Sequence, residues 1–368
     1  MNGSSDQAVA CRGVSIAYGG AIVIPALDLE VRRGEMVALL GPSGSGKTTL
    51  LSALAGFVPI RSGAILIGGR TVARVGRSEP PERRDVAVVF QSYALWPHLS
   101  ALETVAYPIR RRGIPSATAR LRAQEILDRM GIGELAHRRP AELSGGEQQR
   151  VGLGRALARE AGVYLFDEPT AHLDAAIREQ LLTEIAEHRR RSGAAAIYAT
   201  HDTAEALALA DRVVLLRDGR IVQQGSPTTV YERPADVWAA RLTGPASIIS
   251  VRITEAHDGS ARLDVAGSSQ TVAVEAVDPL SRGEVRAIVR PDWVRLGGDI
   301  PARVDAVAFR GTHTDYQLAT TAGAVGVRVA GPPVTCRGES VGVTFERLWI
   351  PADSNDPNDP NLVGVPIL

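Results

Sequence analysis

The run Gly41-Pro42-Ser43-Gly44-Ser45-Gly46-Lys47-Thr48-Thr49 constrains this chain more than any other stretch, because of what flanks it. An apolar, strand-like run (Met36 to Leu40) precedes it, and a helical segment (Leu50, Leu51, Ala53, Leu54, Ala55) closed by Gly56 follows. Strand, glycine-rich loop and helix in that order make a phosphate-binding loop. Glycines let successive N–H groups turn inward, and the N-terminus of the following helix adds positive potential. Lys47 would reach the outer phosphates of a nucleotide as a point charge, and the Thr48 hydroxyl would take one position on a Mg²⁺, which prefers oxygen ligands. The competing reading is a glycine-rich turn that merely caps a helix.

The rest of the first two-thirds of the chain alternates strand and helix patterns. Cys11 to Tyr18 and Ala26 to Val31 read as antiparallel strands ahead of the loop, Gly63 to Gly69 as a short strand and turn, and Asp85 to Phe90 as a buried strand ending at Gln91. Ser116 to Met130 carries helical spacing stopped by Gly131. Leu143-Ser144-Gly145-Gly146-Glu147-Gln148 opens a further helix through Ala158, and Val163 to Phe166 is a buried strand that delivers Asp167 and Glu168 at its carboxyl end. A helix (Ala175 to Arg191), a strand (Ala195 to Thr200) ending at His201, a short helix (Ala204 to Ala210) and a strand (Val213 to Leu216) continue the alternation. This pattern predicts a parallel α/β core, whose ligands bind at the carboxyl ends of the strands. Asp218-Gly219 is a hairpin turn, and Pro234 to Leu242 reads as a last helix.

Composition then changes. After Ile248, short β-branched runs (Ser250 to Ile253, Thr271 to Val274, Val285 to Val289, Val304 to Ala308, Ala324 to Val329, Val341 to Phe345) alternate with turn residues. We read a small all-β, OB-like barrel over 244–368, behind an α/β domain over 1–243. The polar stretch DSNDPNDPN reads as a loop, with apolar residues Leu362 to Leu368 behind it. Lys plus Arg and Asp plus Glu each total 41, so no net field argues for a nucleic-acid partner. No apolar run approaches the ~20 residues that span a bilayer, the N-terminus lacks the blocks of a signal peptide, and the two cysteines match no metal or redox spacing. The expectation is an intracellular chain.

Five further elements follow the phosphate loop in the order found in the ATP-binding-cassette ATPases, which the chain resembles from about Ala8 to Leu242, with a helical subdomain over about 92–160. The resemblance implies a role for each element. Tyr18 would stack on adenine, although alone it reads as a core residue. Gln91 would touch both the Mg²⁺ shell and the attacking water, although a lone Gln after a strand is ordinarily on the surface. Leu143 to Glu147 matches the family signature in full: Ser144, Gly145 and Gly146 would cap the γ-phosphate, with Glu147 at the helix start, where negative charge is favourable. The same residues also read as a Ser-capped helix with a capping box. Asp167 would hold Mg²⁺, Glu168 would polarise the attacking water, and His201 would contact the γ-phosphate and that carboxylate. Asp174, in Ala171-His172-Leu173-Asp174, would make a contact across a dimer.

In the family the signature faces nucleotide held by the other subunit, so one loop and one signature per chain imply a head-to-tail homodimer around two ATP. Ser92 to Leu99 resembles the region where importer ATPases receive a coupling helix of a transmembrane permease, while Trp96 and Leu99 equally fit a helical core. Arg290-Pro291-Asp292-Trp293 and Phe309-Arg310-Gly311 are similar to the small C-terminal β-domain, of TOBE type, of such ATPases, nearest the ferric-iron, polyamine and phosphonate group. The expectation is an energy-coupling ATPase that uses ATP and Mg²⁺ on the cytoplasmic face of the membrane. It would work with permease subunits and, through them, an extracytoplasmic substrate-binding protein, and with no nucleic acid. The alternative is a soluble ATPase of nucleic-acid repair or translation, and a further reading makes the β-domain a regulatory sensor.

Overall fold

The computed structural model describes residues 6–90, 94–171, 173–257, 260–265, 268–276 and 283–351. The chain forms two compact units, Met1–Pro227 and Thr228–Leu368.

The first unit is built on two sheets. β1 (Gln7–Tyr18) and β2 (Ala21–Arg32) pair antiparallel; β3 (Met36–Leu40) leads into α1 (Lys47–Ala55), and β4 (Ser62–Ile67), β5 (Arg70–Arg74) and β6 (Arg77–Ser78) follow. Then come β7 (Val86–Val89), the helices α2 (Ala101–Arg111), α3 (Ser116–Arg129) and α4 (Gly145–Leu157), and β8 (Val163–Asp167). α5 (Ala175–Ser192), β9 (Ala195–Thr200), α6 (Thr203–Leu209), β10 (Arg212–Arg217) and β11 (Arg220–Gly225) complete the unit. One sheet has the order β2-β1-β4-β5-β6 and is antiparallel; the other has the order β11-β10-β3-β9-β8-β7. The second sheet is parallel except at the β10–β11 hairpin, whose Asp218 and Gly219 both take left-handed backbone.

Every residue of β3, β8 and β9 is buried, as expected of parallel strands covered on both faces. Alternate side chains divide between two cores. Val37, Leu39, Leu165 and Ile197 pack with α1 and the antiparallel sheet, while Met36, Tyr164, Phe166 and Tyr198 pack with α2 to α5. The register sets Leu40 beside Thr200, and Asp167 beside Ala199. The carboxyl ends of β3, β8 and β9 therefore lie along one edge, the placement at which α/β sheets hold ligands.

The second unit contains α7 (Pro227–Glu232, starting at the junction), α8 (Val237–Leu242) and, among the described residues, nine strands. β12 (Ser247–His257), β13 (Ser260–Val265), β14 (Ser268–Ala276) and β15 (Gly283–Val289) close a barrel with β20 (Arg347–Ile350). β16 (Val294–Phe309), β17 (His313–Thr320), β18 (Gly323–Ala330) and β19 (Ser340–Phe345) form a separate sheet of order β18-β17-β16-β19. The barrel-like β domain is thus a barrel plus a second sheet. The units divide at Pro227, upstream of the expected 243/244 boundary, because Arg290 reaches back. Its fully buried guanidinium donates to the carbonyls of Tyr231, Ala240, Gly244 and Pro245, and Trp349 Nε1 donates to the Pro234 carbonyl. These bonds tie α7 and α8 to the β unit. The expected single helix over Pro234 to Leu242 is shorter, Val237–Leu242, with Asp236 capping it by accepting from Ala239 N at 2.6 Å. The apolar C-terminal residues Leu362 to Leu368 lie outside the described residues.

Candidate functional site

The phosphate loop is shaped by backbone that only glycine tolerates well. Gly44 and Gly46 have φ of 81° and 103°, and a Cβ on Gly41 would stand 2.3 Å from the Leu216 carbonyl. Ser45 N donates to the Pro42 carbonyl at 3.2 Å, and Gly219 N to the Ser45 carbonyl at 3.0 Å, which anchors the loop to the β10–β11 hairpin. The first turn of α1 has no side-chain cap and no acidic residue, so its N–H groups keep their capacity for an anion. The buried Ser45 hydroxyl has no partner among the described residues. Lys47 is buried, and its ammonium donates to the carbonyls of Gly41 (2.6 Å) and Pro42 (3.0 Å). Burial holds its pKa below the ordinary lysine value, opposed by the nearby Glu168 and Asp167 carboxylates. Ser43 and Thr48 are exposed at the loop surface, and Thr49 is half-buried.

Asp167 ends β8 and is buried; Thr48 Oγ1 donates to its Oδ1 at 3.1 Å. Burial raises the Asp167 pKa above the usual carboxylate range, and Glu168 adds to this, while the Thr48 hydrogen bond and Lys47 act against it. A hydroxyl and a carboxylate in contact form an all-oxygen donor pair that suits a hard cation. Glu168 is the next residue and turns sharply: its φ of 49° is left-handed, a conformation that costs a non-glycine residue roughly 1–2 kcal/mol. Its N–H still donates to the Ala199 carbonyl (3.0 Å), and its Oε1 lies 3.0 Å from His201 Nδ1. Lys47, Thr48, Asp167, Glu168 and His201 are thereby gathered at the ends of three neighbouring strands.

Among the described residues, no hydrogen bond or ion pair joins Tyr18, Ser144–Glu147 or Asp174 to this group. Ser144 caps α4 in a full capping box, with Ser144 N donating to Glu147 Oε2 (2.7 Å) and Glu147 N to Ser144 Oγ (3.4 Å). The first of these bonds is the main reason the Glu147 carboxyl sits below its usual range. Gly145 faces open space, and a Cβ on Gly146 would meet Leu173 Cδ2 at 3.0 Å. Among the described residues, no hydrogen bond or ion pair joins Ser144–Glu147 to the phosphate loop. Asp174 caps α5 by accepting from Ile177 N at 3.0 Å, and Tyr18 ends β1 with 66% of its surface exposed. Gln91 lies outside the described residues, as does His172.

Two features escaped the reading of the sequence. One is a buried hydroxyl and carboxylate cluster around Glu205 on α6, whose only sequence signal is an acidic residue within an apolar helix. The other is the rest of the cleft at the expected docking segment: with Trp96, the residues Phe57, Val88, Tyr107, Pro108 and Arg155 among others line a space of about 430 Å³. Trp96 tilts against Tyr107 with ring centroids 4.9 Å apart and lies under the Arg155 guanidinium at 5.3 Å, while Phe57 stays 54% exposed. Of the Ser92 to Leu99 segment, Leu95 packs on the helical core and Trp96 lines the cleft.

Comparison with known proteins gives the family of both units. Residues 24–171 match the family model described as ABC transporter, and residues 287–349 match the TOBE domain. The chain is similar to the Fe(3+) ions import ATP-binding protein FbpC of Brucella abortus (strain 2308), 42% identical over 319 residues that cover 86% of this chain and 88% of that protein. It is also similar to the spermidine/putrescine import ATP-binding protein PotA of Thermobifida fusca (strain YX), at 38% identity over 81% and 78%. Among solved structures, a dimeric post-hydrolysis state of the ATP-binding cassette MJ0796 bound to ADP and Pi matches with a TM-score of 0.55 and 29% identity, covering 60% of this chain and 98% of that one. The cbiO1 protein of Clostridium perfringens, part of the ABC transporter complex cbiONQ, matches with a TM-score of 0.54 and 27% identity, covering 61% and 90%.

Proposed function

The chain belongs to the ATP-binding subunits of the ABC transporters and is an ATPase, and we propose that two copies close around two ATP to drive an import permease. The observation that carries this reading is the group at the strand ends: Lys47 and the α1 N-terminus for phosphate, Thr48 beside Asp167 for a cation, and Glu168 beside His201 for water.

In this reading ATP reacts with water to give ADP and phosphate by in-line displacement. The Lys47 ammonium, now on the Gly41 and Pro42 carbonyls, exchanges those acceptors for outer phosphate oxygens. Glu168 orients the attacking water and accepts its proton as the new P–O bond forms. His201, held by the Glu168 carboxylate, faces the γ-phosphate. A Mg²⁺ held by Thr48 and Asp167, with Gln91, would neutralise charge on the phosphate oxygens. Tyr18 stacks on the base, and Asp174 meets the other copy. The Ser144–Glu147 helix start, which no described hydrogen bond or ion pair joins to its own chain's loop, supplies N–H groups to nucleotide on the second copy, which is why one chain alone makes no complete site.

The apolar cleft around Trp96 is the dock for a short helix of the permease, since exposed aromatic surface in a groove suits an amphipathic helix. In this reading the chain works at the cytoplasmic face of the membrane, with a substrate-binding protein joined through the permease. The relatives named for Fe(3+) and for spermidine/putrescine support ferric iron or a polyamine as cargo. They also disfavour the repair or translation alternative. Affinity purification from mild detergent with mass spectrometry tests the assignment: a multi-spanning permease is expected among the recovered proteins, and ribosomes or DNA in its place would overturn it. In parallel, Glu168→Gln should bind ATP and accumulate as an ATP-dependent dimer with turnover lowered about a hundredfold or more. Rapid turnover in that variant would remove Glu168 from the mechanism.

A further inference from the structure

Behind the Glu168–His201 pair lies a buried cluster centred on Glu205 of α6. Glu205 is 6% exposed, and its carboxylate accepts from three hydroxyls: Thr170 Oγ1 (2.6 Å), Tyr198 OH (2.9 Å) and Thr200 Oγ1 (3.1 Å). A carboxylate can only accept, and three donors on two oxygens meet the need of a charge taken out of water. Arg178 of α5 supplies the counter-charge, with Nε 3.8 Å from Glu205 Oε1, and its Nη1 lies 3.5 Å from Asp202. The Tyr198 hydroxyl is held well above its ordinary pKa by burial and then by Glu205, so it remains a donor.

Two of the three hydroxyls sit one or two residues from a group in the site. Thr170 follows Glu168 by two residues, Thr200 immediately precedes His201, and Asp202 N donates to Thr200 Oγ1 at 2.9 Å. Arg178 Nη2 donates to the Leu173 carbonyl (3.2 Å), one residue before Asp174. A cavity of about 180 Å³ is lined by both the Glu168–His201 pair and the Glu205 cluster. His201 is 62% exposed at its side chain, so its aim depends on how firmly its backbone is held.

We infer that Glu205 is a positioning residue that locks the loop after Glu168, the loop bearing His201 and the start of α5 into one unit, and so sets the geometry of the water-activating pair. This inference rests on the proposed roles of Glu168 and His201. Displacements well under a hydrogen-bond length lower turnover steeply while leaving phosphate contacts intact. The cluster thus acts on kcat and leaves nucleotide affinity to the phosphate loop.

The test uses the full chain and measures steady-state ATP hydrolysis, affinity for a fluorescent ATP analogue, and thermal melting. Glu205→Gln replaces one acceptor oxygen with a donor and is expected to lower kcat about tenfold with nucleotide Kd within about twofold. Tyr198→Phe, which removes one donor and leaves two, is expected to lower kcat about threefold, again at constant Kd. Turnover of Glu205→Gln within about twofold of the unmodified chain, with Glu168→Gln inactive, overturns this inference alone. Turnover in Glu168→Gln overturns the catalytic reading beneath it. A parallel fall in kcat and affinity that tracks loss of folded protein also overturns the inference, because a purely structural cluster would behave that way. If Glu205→Gln does not fold, Arg178→Lys carries the test: it keeps the charge but loses the reach to the Leu173 carbonyl. A kcat loss at constant Kd supports the inference, and unchanged kcat overturns it.

Discussion

Replacing Arg290 by Met should unlatch α7 and α8 from the β unit. The guanidinium is fully buried and has five acceptors: the carbonyls of Tyr231, Ala240, Gly244 and Pro245, and Thr243 Oγ1. Its plane also lies over the Tyr231 ring at 4.2 Å. Burial draws its pKa down to about 10, still far enough above neutrality that it remains charged. Two acceptors survive the substitution: Ala240 O keeps a bond from Thr243 Oγ1 (3.2 Å), and that hydroxyl keeps Ala239 O as its own acceptor (2.7 Å). The carbonyls of Tyr231, Gly244 and Pro245 lose the donor. Tyr231 and Gly244 are half-buried and Pro245 is exposed, so water restores part of the loss; at about 1–3 kcal/mol for a fully buried group left unsatisfied, and with relief from no longer burying a cation, the net loss is about 2–3 kcal/mol. For a unit of this size, with a urea m-value of about 2 kcal/mol/M, the midpoint falls by about 1 M. Trp238, Trp293 and Trp349 lie in this unit, against Trp96 alone in the first, so tryptophan emission reports its unfolding. Binding of a fluorescent nucleotide follows the first unit separately and should keep its midpoint. Arg290→Lys, which keeps the charge but not the fork, should move the emission midpoint about half as far. A shift below about 0.5 M for Arg290→Met would refute the reasoning, because it would mean the three carbonyls find other donors.

Lys47→Ala should weaken ATP binding by more than about tenfold, whereas Ser144→Arg should leave binding to the single chain intact and block ATP-dependent dimerisation in size-exclusion chromatography. Normal hydrolysis by both variants would sink a site shared between copies. Asp167 has a raised folded pKa, so its ionisation destabilises the fold as pH rises from the ordinary carboxylate value through the folded one. Asp167→Asn should therefore melt slightly higher than the unmodified chain near neutrality while losing Mg²⁺-dependent hydrolysis, and a lower melting temperature would contradict the assigned burial cost. His188, 2.7 Å from the Tyr164 hydroxyl, has its pKa pushed down to about 4, first by burial and then by Arg191 and Arg129. A depressed histidine gives stability that is whole above about pH 6.5 and is lost toward pH 4, so His188→Gln should flatten the melting-temperature profile in that window, and an unchanged profile would count against it.

Some of this protein was legible in its sequence because the controlling forces are local. The phosphate loop depends on glycines that reach left-handed backbone and on a helix that follows within two residues, and both are written in nine consecutive letters. Asp167 and Glu168 were readable at a strand end because four buried apolar residues run directly into them. The same local logic left one ambiguity standing: Ser144 to Glu147 is a real capping box, and it is also the stretch that matches the family signature.

The rest was decided by contacts between residues far apart in the chain, where pattern carries no register. α2 contains Pro108 and a short apolar stripe and went unread, yet Val105, Ala106 and Ile109 complete the helical core. The barrel closes through parallel pairing of Ala273–Ala276 with Arg347–Ile350, a junction that no turn signal announces. The unit boundary follows one guanidinium reaching back about fifty residues to helix carbonyls. Glu205 looked like a polar residue on a short helix until the fold brought three hydroxyls and Arg178 around it. Sequence determined the chemistry that a few adjacent residues can perform. Tertiary structure decided which of those groups face one another, because burial and hydrogen-bond satisfaction are settled only when distant segments share a core.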